Sequence, residues 1–264
     1  MDVQTVEHTE APGRVLSVEL AVLSRAGGRA YNEDACGHWH SDEHLCCVVA
    51  DGAGGHGGGD KASRLAVQSI IGSYSAAPQA SSESVREMIL QSSRSVIEHR
   101  ADGAAQQNMH STVVALFVDL DHNTAAWAHC GDSRLYVFRA GAMVLQTRDH
   151  SLVQSLVDGG LLAADQAHNH PQRSELLSAL GVAEDQLLIG VSAEPWVLQA
   201  GDVFLLCTDG LWEYVAVTAI EAALAQAPDP QAWLDDLEQQ VLAAAAHKPN
   251  HDNFSALTVW VSEH

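Results

Sequence analysis

The chain has 264 residues, 47% of them hydrophobic, and its 34 acidic residues against 13 lysines and arginines give a formal net charge of −21. This length and apolar content are typical of one large globular domain. The negative charge argues against nucleic acid as a partner, because nucleic acid requires a basic surface. No apolar stretch is long enough to cross a membrane, and residues 1–12 lack the basic and apolar regions of a secretory signal.

These features predict a cytoplasmic protein with no membrane partner. The five cysteines agree with this prediction, because an odd number of thiols, three of them in apolar runs, is typical of reduced cysteines. We predict a flexible tail over residues 1–13 and a single domain over 14–264, since neither a repeat nor a low-complexity tract marks a second boundary.

The spacing of apolar residues predicts strands separated by two pairs of helices. Strands are predicted over 15–24, 45–50, 111–120, 124–129, 134–139, 142–147, 203–208 and 254–261. Helices are predicted over 60–74, from an N-cap at Ser81 to about residue 99, over 216–227 and over 230–247, with short helices in 149–181. We interpret the four strands between 111 and 147 as one antiparallel meander. Because strands and helices do not alternate regularly, the order predicts an α+β fold.

A glycine-rich loop directly follows the apolar run 45–50. Gly52, Gly54 and Gly57 have the spacing of a dinucleotide-binding fingerprint. That fold requires a second strand with an acidic residue about 20 residues further on, whereas a polar linker and another helix follow here. A Walker A loop is excluded because no Gly-Lys-Ser/Thr follows the glycines. The glycines instead allow a close approach to the backbone beside Asp51.

Two aspartates, Asp51 and Asp209, come directly after apolar strands. A carboxylate in such a position is destabilised by desolvation unless it has a partner, and neither has a lysine or arginine beside it in the sequence. Asp132 ends another strand and Asp252 begins one, so both could join them at a Mg²⁺ or Mn²⁺ site. Asp-Gly is also a common turn pair that occurs four times in the chain, so the residues alone leave both interpretations open.

Six short motifs along the chain carry a family resemblance. They are Arg29-Ala-Tyr-Asn-Glu33-Asp34, Asp51-Gly-Ala-Gly-Gly-His56, Gly131-Asp132-Ser-Arg134, Asp149-His150-Ser-Leu-Val, Cys207-Thr-Asp209-Gly-Leu and Asp252-Asn253. In spelling and order they resemble the metal-dependent serine/threonine protein phosphatases (PPM, type 2C), and bacterial members most closely. The resemblance covers nearly the whole chain and implies a four-layer α-β-β-α sandwich with two central antiparallel sheets. Residues 149–198 would include the family's variable flap, which contacts substrate.

The resemblance also implies a role for each matching residue. The metal-binding residues would be Asp51 bridging two ions, the Gly52 carbonyl on the first ion, Asp34, Asp209 and Asp252 on the second, and Asp132 with Asp209 on the weaker third ion of bacterial members. Glu33 would hold a metal-bound water, and Arg29 would grip the substrate phosphate.

The implied activity is the hydrolysis of phosphoserine and phosphothreonine in proteins by a hydroxide that bridges two Mn²⁺ or Mg²⁺ ions. The implied partner is a phosphorylated protein, and the enzyme would oppose a serine/threonine kinase as a monomer. The alternative is a non-catalytic regulatory or adaptor domain on the same fold. Retention of all the acidic motif residues favours the enzyme. Ala53 stands where eukaryotic members have a histidine, and His56 is interpreted as structural, so no general acid is predicted.

Overall fold

The structure is a computed structural model that describes residues 16–53, 58–100 and 109–263. The predicted tail over 1–13, its boundary at residue 14, and His56 lie outside the described residues. All five cysteines lie inside them as free thiols. Among the described helices, none combines the length and the apolar character that a membrane span requires.

The strands, in chain order, are β1 (Leu16–Arg25), β2 (Ala35–His40), β3 (His44–Ala50), β4 (Gly52–Ala53), β5 (His110–Ser111), β6 (Val113–Asp119), β7 (Thr124–Cys130), β8 (Arg134–Arg139), β9 (Ala142–Gln146), β10 (Gly190–Val191), β11 (Trp196–Val197), β12 (Val203–Cys207) and β13 (Phe254–Glu263). The helices are α1 (Gly59–Ala76), α2 (Ser82–Arg100), α3 (Leu152–Asp158), α4 (Ala164–Ala167), α5 (Asp209–Trp212), α6 (Val217–Leu224) and α7 (Pro230–Ala244). A single 3-10 turn covers Glu184–Gln186.

The strands form two antiparallel sheets that pack face to face. The first sheet has the order β1-β13-β12-β8-β9, and the second has the order β10-β7-β6-β3-β2 with β11 also on β7. A separate short pair joins β4 to β5. Helices α1 and α2 cover the outer face of the second sheet, and α6 and α7 cover that of the first. The predicted four-layer α-β-β-α sandwich is confirmed.

Strand β3 shows how the sequence produces these layers. Its side chains alternate, so that Leu45, Cys47 and Val49 face the core between the sheets, while Cys46 and Val48 face the helices. Both sets are almost fully buried. An apolar run without polar alternation is what a strand buried on both faces requires.

The predicted meander is wrong. Strands β6 and β7 pair in the second sheet, whereas β8 and β9 pair in the first, so the chain crosses between sheets at residues 131–133. Gly131 has a φ of +98° there, which favours glycine. Alternation along a strand indicates that the strand exists but not which strand it pairs with, so the crossover could not be seen in the sequence. Asp132 therefore lies where the two sheets meet.

Strand β2 was not predicted. It is a partly exposed edge strand with a glycine and two histidines, so its pattern is weak. The predicted N-cap is confirmed, because the Ser81 hydroxyl accepts a hydrogen bond from the Ser84 amide at 3.1 Å. The other predicted elements agree with the structure to within about three residues at most ends, which is close to the usual uncertainty of element boundaries.

We expect Leu257→Ala to lower the free energy of unfolding by about 2–5 kcal/mol, because it leaves a cavity between the two sheets. Leu257 is fully buried in the central core. The measurement is urea unfolding followed by circular dichroism. Val144→Ala, on edge strand β9 where Val144 is 51% exposed, is the control and should change this free energy by less than about 0.5 kcal/mol. Equal effects of the two substitutions would contradict the assignment of the core.

Candidate metal centre

The strand registers place the motif residues at one end of the sandwich. Ala35 pairs with Ala50, so Asp34 and Asp51, one residue beyond this pair, lie at the same end of the second sheet. In the first sheet Cys207 pairs with both Arg134 and Ala256. The segments that carry Asp132, Asp209 and Asp252 therefore leave the first sheet at this end too.

Asp51 is held by backbone and hydroxyl contacts from the strand beside it. Its amide donates to the Thr112 hydroxyl at 3.1 Å, and its carbonyl accepts from the Thr112 amide at 2.8 Å and from the Ser111 hydroxyl at 2.9 Å. The residue keeps some solvent access, although protein atoms surround its carboxyl group. Burial, followed by repulsion from Asp209 and Asp34, raises the pKa of Asp51 well above its usual value.

Asp34 and Asp209 approach the same region from the two sheets. Thr208 joins them, because its hydroxyl donates to Asp34 Oδ2 at 3.0 Å and its backbone leads into Asp209, the first residue of α5. Burial raises the pKa of Asp34 to about 6, against hydrogen bonds from Ser255 and Thr208 that lower it. Burial, with repulsion from Asp132 and Glu213, raises the pKa of Asp209 well above its usual value.

Three carboxylate oxygens of the acidic motif residues are buried without a hydrogen-bond partner: Glu33 Oε1, Asp34 Oδ1 and Asp209 Oδ1. Such oxygens cost free energy unless a cation or a proton satisfies them, and oxygen-only ligands suit Mg²⁺ and Mn²⁺. Within the described residues no three acidic, imidazole or thiol side chains form a ready coordination shell. The fit to divalent cations therefore rests on the unpartnered oxygens and on the mutual repulsion of the carboxylates.

Asp132 lies at the crossover between β7 and β8 and is 6% exposed. Its carbonyl accepts a hydrogen bond from Trp212 Nε1 at 3.0 Å. The guanidinium of Arg134 stacks 3.5 Å from the centre of the Trp212 ring and pairs with both carboxylate oxygens of Asp149 at 2.8 and 2.7 Å. Burial, followed by repulsion from Asp149, raises the pKa of Asp132 to about 7. Arg134 thus has a structural partner in Asp149.

Arg29 lies on the loop between β1 and β2, at the rim of the acidic cluster. Its side chain is 51% exposed, and its Nη2 atom lies 2.9 Å from Asp252 Oδ2. Arg29 is therefore accessible from solvent beside the buried carboxylates. This position suits a group that binds an anionic ligand by paired hydrogen bonds.

The side chain of Asn253 fixes that loop. Its amide nitrogen donates to the carbonyls of Ala26 and Tyr31 at 2.8 and 3.1 Å, and its amide oxygen accepts from the Glu33 amide at 2.8 Å. The residue is 5% exposed. One buried amide thus connects the loop of Arg29, Glu33 and Asp34 to the start of β13.

One ion pair and one cavity near the cluster were not predicted from the sequence. Arg173, from the segment 149–198, pairs with Glu213, which directly follows α5. Together with Arg134 and Trp212, Arg173 also lines a cavity of about 430 Å³ between that segment and the first sheet. Glu213 lies one helical turn after Asp209 and could have been noticed in the sequence, but no pattern indicates which residue of a variable segment pairs with it.

The sequence is similar to known protein phosphatases. The sequence matches the family model for protein phosphatase 2C over residues 24–249. It is 32% identical over 202 residues to the serine/threonine phosphatase Stp of Listeria monocytogenes, covering 74% of this chain and 78% of that protein.

Solved structures of bacterial phosphatases are similar to this chain as well. The serine/threonine phosphatase PstP of Mycobacterium tuberculosis superimposes with a TM-score of 0.78 at 28% identity, over 94% of this chain and 99% of that one. A PstP catalytic domain solved in complex with two manganese ions has a TM-score of 0.78 at 27% identity, over 94% and 100% of the two chains. PppA of Pseudomonas aeruginosa has a TM-score of 0.71 at 30% identity, over 92% and 97%.

Asn253→Asp should lower the free energy of unfolding by about 1–3 kcal/mol, because it removes two buried donors and leaves carboxylate oxygens against two carbonyls. Urea unfolding measures this change. Asn250→Asp, at an exposed position three residues earlier, is the matched control, and its effect should stay below about 0.5 kcal/mol. If both variants unfold at the wild-type urea concentration, the Asn253 side chain does not hold the loop.

The stability of the metal-free protein should depend on the ionisation of Asp132. Because its pKa in the fold is about 7 against 3.8 ordinarily, the folded protein binds this proton more tightly than the unfolded chain does. Ionisation therefore destabilises the fold increasingly as the pH rises from about 4 to about 7.

The test compares Asp132→Asn with the wild type in EDTA by urea unfolding from pH 5 to pH 8. The variant should be the more stable protein at pH 8, by more than about 1 kcal/mol, and the difference should narrow toward pH 5. A difference that stays constant with pH, or that grows toward pH 5, would contradict the raised pKa.

Proposed function

Because the chain belongs to the protein phosphatase 2C family, we propose that it hydrolyses phosphoserine and phosphothreonine in proteins with the help of Mn²⁺ or Mg²⁺. The observation that carries this proposal is the set of unpartnered buried oxygens of Glu33, Asp34 and Asp209. Two of these carboxylates, Asp209 and Asp34, repel Asp51, and this repulsion adds to burial in raising the pKa of Asp51. A divalent cation would supply the counter-charge that these carboxylates need.

The proposed ligands are the oxygens already described: Asp51 shared between two ions, the Gly52 carbonyl on one of them, Asp34, Asp209 and Asp252 on the other, Glu33 through water, and Asp132 with Asp209 for a weaker third ion. When bound, two such ions lower the pKa of a water molecule toward neutrality and neutralise charge on the phosphoryl oxygens. The carboxyl groups of Glu33, Asp34, Asp51, Asp132 and Asp209 carry raised pKa values without metal, so metal binding would release protons and would strengthen with rising pH.

Arg29 is the proposed phosphate-binding residue. Its exposed guanidinium presents several donors, of which Asp252 occupies one, and it can form paired hydrogen bonds with two phosphoryl oxygens. The loop that carries Arg29 is fixed by Asn253, so the donor is oriented before the substrate arrives. The leaving alkoxide needs a proton, and Ala53 cannot provide one from the position after the Asp51-Gly52 pair.

The regulatory or adaptor alternative is disfavoured, because every acidic motif residue is retained and the relatives are named as phosphatases. We further propose a cytoplasmic monomer that opposes a serine/threonine kinase, with neither nucleic acid nor a membrane as a partner. The net charge of −21 supports the proposal that nucleic acid is not a partner.

Asp51→Ala and Asp209→Ala should each lower Mn²⁺-dependent hydrolysis of a phosphothreonine peptide by at least about 1000-fold, because each removes a shared oxygen ligand. Released phosphate measures the rate, and a phosphotyrosine peptide should be cleaved far more slowly. Asp121→Ala, an exposed carboxylate in the turn at the opposite end of β6, is the control and should keep wild-type activity. Activity that persists in EDTA, or in both site variants, would rule out this mechanism.

A further inference from the structure

Two buried hydroxyl side chains connect the strand that carries Asp51 to the turn that carries Asp132. Thr112 Oγ1 and Ser133 Oγ lie 2.6 Å apart, and the two residues are 3% and 1% exposed. Thr112 directly precedes β6 in the second sheet, and Ser133 directly precedes β8 in the first. The hydrogen bond therefore bridges the two sheets at the acidic end.

Thr112 holds the Asp51 backbone at both of its polar groups. The Thr112 amide donates to the Asp51 carbonyl at 2.8 Å, and the Thr112 hydroxyl accepts from the Asp51 amide at 3.1 Å. A movement of the Asp51 backbone must therefore move Thr112 or break one of these bonds. Thr112 itself is almost fully buried, which makes breaking these bonds costly.

The Asp132 turn is packed against the same threonine. A Cβ atom placed on Gly131 would lie 2.7 Å from Thr112 Cγ2, so the turn rests directly on the threonine methyl group. On its other side the turn is fixed by Trp212, which donates to the Asp132 carbonyl, and by His150, whose amide donates to the Gly131 carbonyl at 2.9 Å. The Ser133 hydroxyl and the threonine methyl thus connect Thr112 to this turn, beside the pairing of Val113 with Cys130.

We infer that Thr112 and Ser133 are positioning residues that couple Asp51 to Asp132, so that a cation at Asp51 raises the affinity of the cation position beside Asp132. This inference rests on the metal ligands of the proposed function. The coupling is reciprocal, because a cation beside Asp132 must raise the affinity at Asp51 by the same factor. In this inference each hydroxyl acts through the aspartate beside it.

If the two hydroxyls had a purely structural role, their removal would affect stability but not metal affinity. Removing a buried hydroxyl that only stabilises the fold lowers the free energy of unfolding by the same amount with and without metal. A positioning role changes metal affinity in addition, because the substitution acts on the relative placement of two ligands.

The test is calorimetric titration of Mn²⁺ into metal-free protein, which requires no enzymatic activity. The wild type should show a tight binding step and a weaker one. Thr112→Val is nearly isosteric and removes the hydroxyl, and Ser133→Ala removes its partner. Each should weaken the second step roughly 10-fold. Ser133→Ala, which keeps the Thr112 hydroxyl on the Asp51 amide, should also leave the first step within about 3-fold. The double variant should be no weaker than Thr112→Val alone, since Thr112→Val already deletes the bond that Ser133→Ala removes.

Two further variants separate coupling from folding. Thr147→Val is the matched control, because Thr147 is also buried and its hydroxyl also accepts a backbone amide, that of Leu135, at 2.9 Å. It should bind Mn²⁺ like the wild type even if its unfolding midpoint in EDTA falls. In an Asp132→Asn background, where the second position is disabled, Ser133→Ala should change Mn²⁺ affinity by less than about 2-fold. Thr112→Ser, which keeps the hydroxyl, should restore most of the second step.

The outcomes distinguish this inference from the function on which it rests. If the wild type binds Mn²⁺ and hydrolyses phosphothreonine peptide but the Thr112→Val isotherm matches the wild type, the inference alone is overturned. Equal weakening of both steps by Ser133→Ala, or full additivity of Ser133→Ala with Asp132→Asn, also overturns it. A wild type that binds no Mn²⁺ overturns both. If Thr112→Val does not fold, Ser133→Ala and Thr112→Ser still decide the question.

Discussion

Several carboxylates are buried together at one end of the sandwich, where they repel one another. The proposed function depends on this constraint. Asp51, Asp209 and Asp132 all carry raised pKa values for which burial is the largest cause and other carboxylates contribute the rest. A fold that gathers like charges in this way is weakened by them unless cations bind. This repulsion would be relieved by the metal binding proposed above.

Both sheets contribute carboxylates to this cluster. The second sheet supplies Asp34 and Asp51 from neighbouring strands, and the first supplies Asp209 and Asp252. Asp132 comes from the crossover that joins the sheets. Because the five carboxylates come from separate segments of the backbone, their spacing is set by how the sheets pack, and the apolar core between the sheets becomes part of the site. Hydrogen bonds from the uncharged side chains of Thr208 and Asn253 hold these segments together.

The crossover between the two sheets is where the predicted and observed folds differ most. Residues 111–147 alternate as four strands separated by short turns, and a meander is the simplest interpretation of such a pattern. The two hairpins instead lie in different sheets. A strand with two buried faces is compatible with either sheet, so the choice depends on which partners complete each core. Strand β2 was missed for the opposite reason, because its edge position and partial exposure leave no clear alternation.

The sequence by itself determined the fold class, the family and the residues from which a metal site could be built, because motifs in a fixed order carry local chemistry that does not depend on distant packing. It also indicated most helices and strands, since their apolar spacing is a local property. Only the tertiary structure decided which carboxylate oxygens are left without partners, and that Arg134 is paired with Asp149. It also decided that Thr112 meets Ser133 across the two sheets. These facts depend on side chains far apart in the chain, and their distances are fixed only when both sheets pack around a common core.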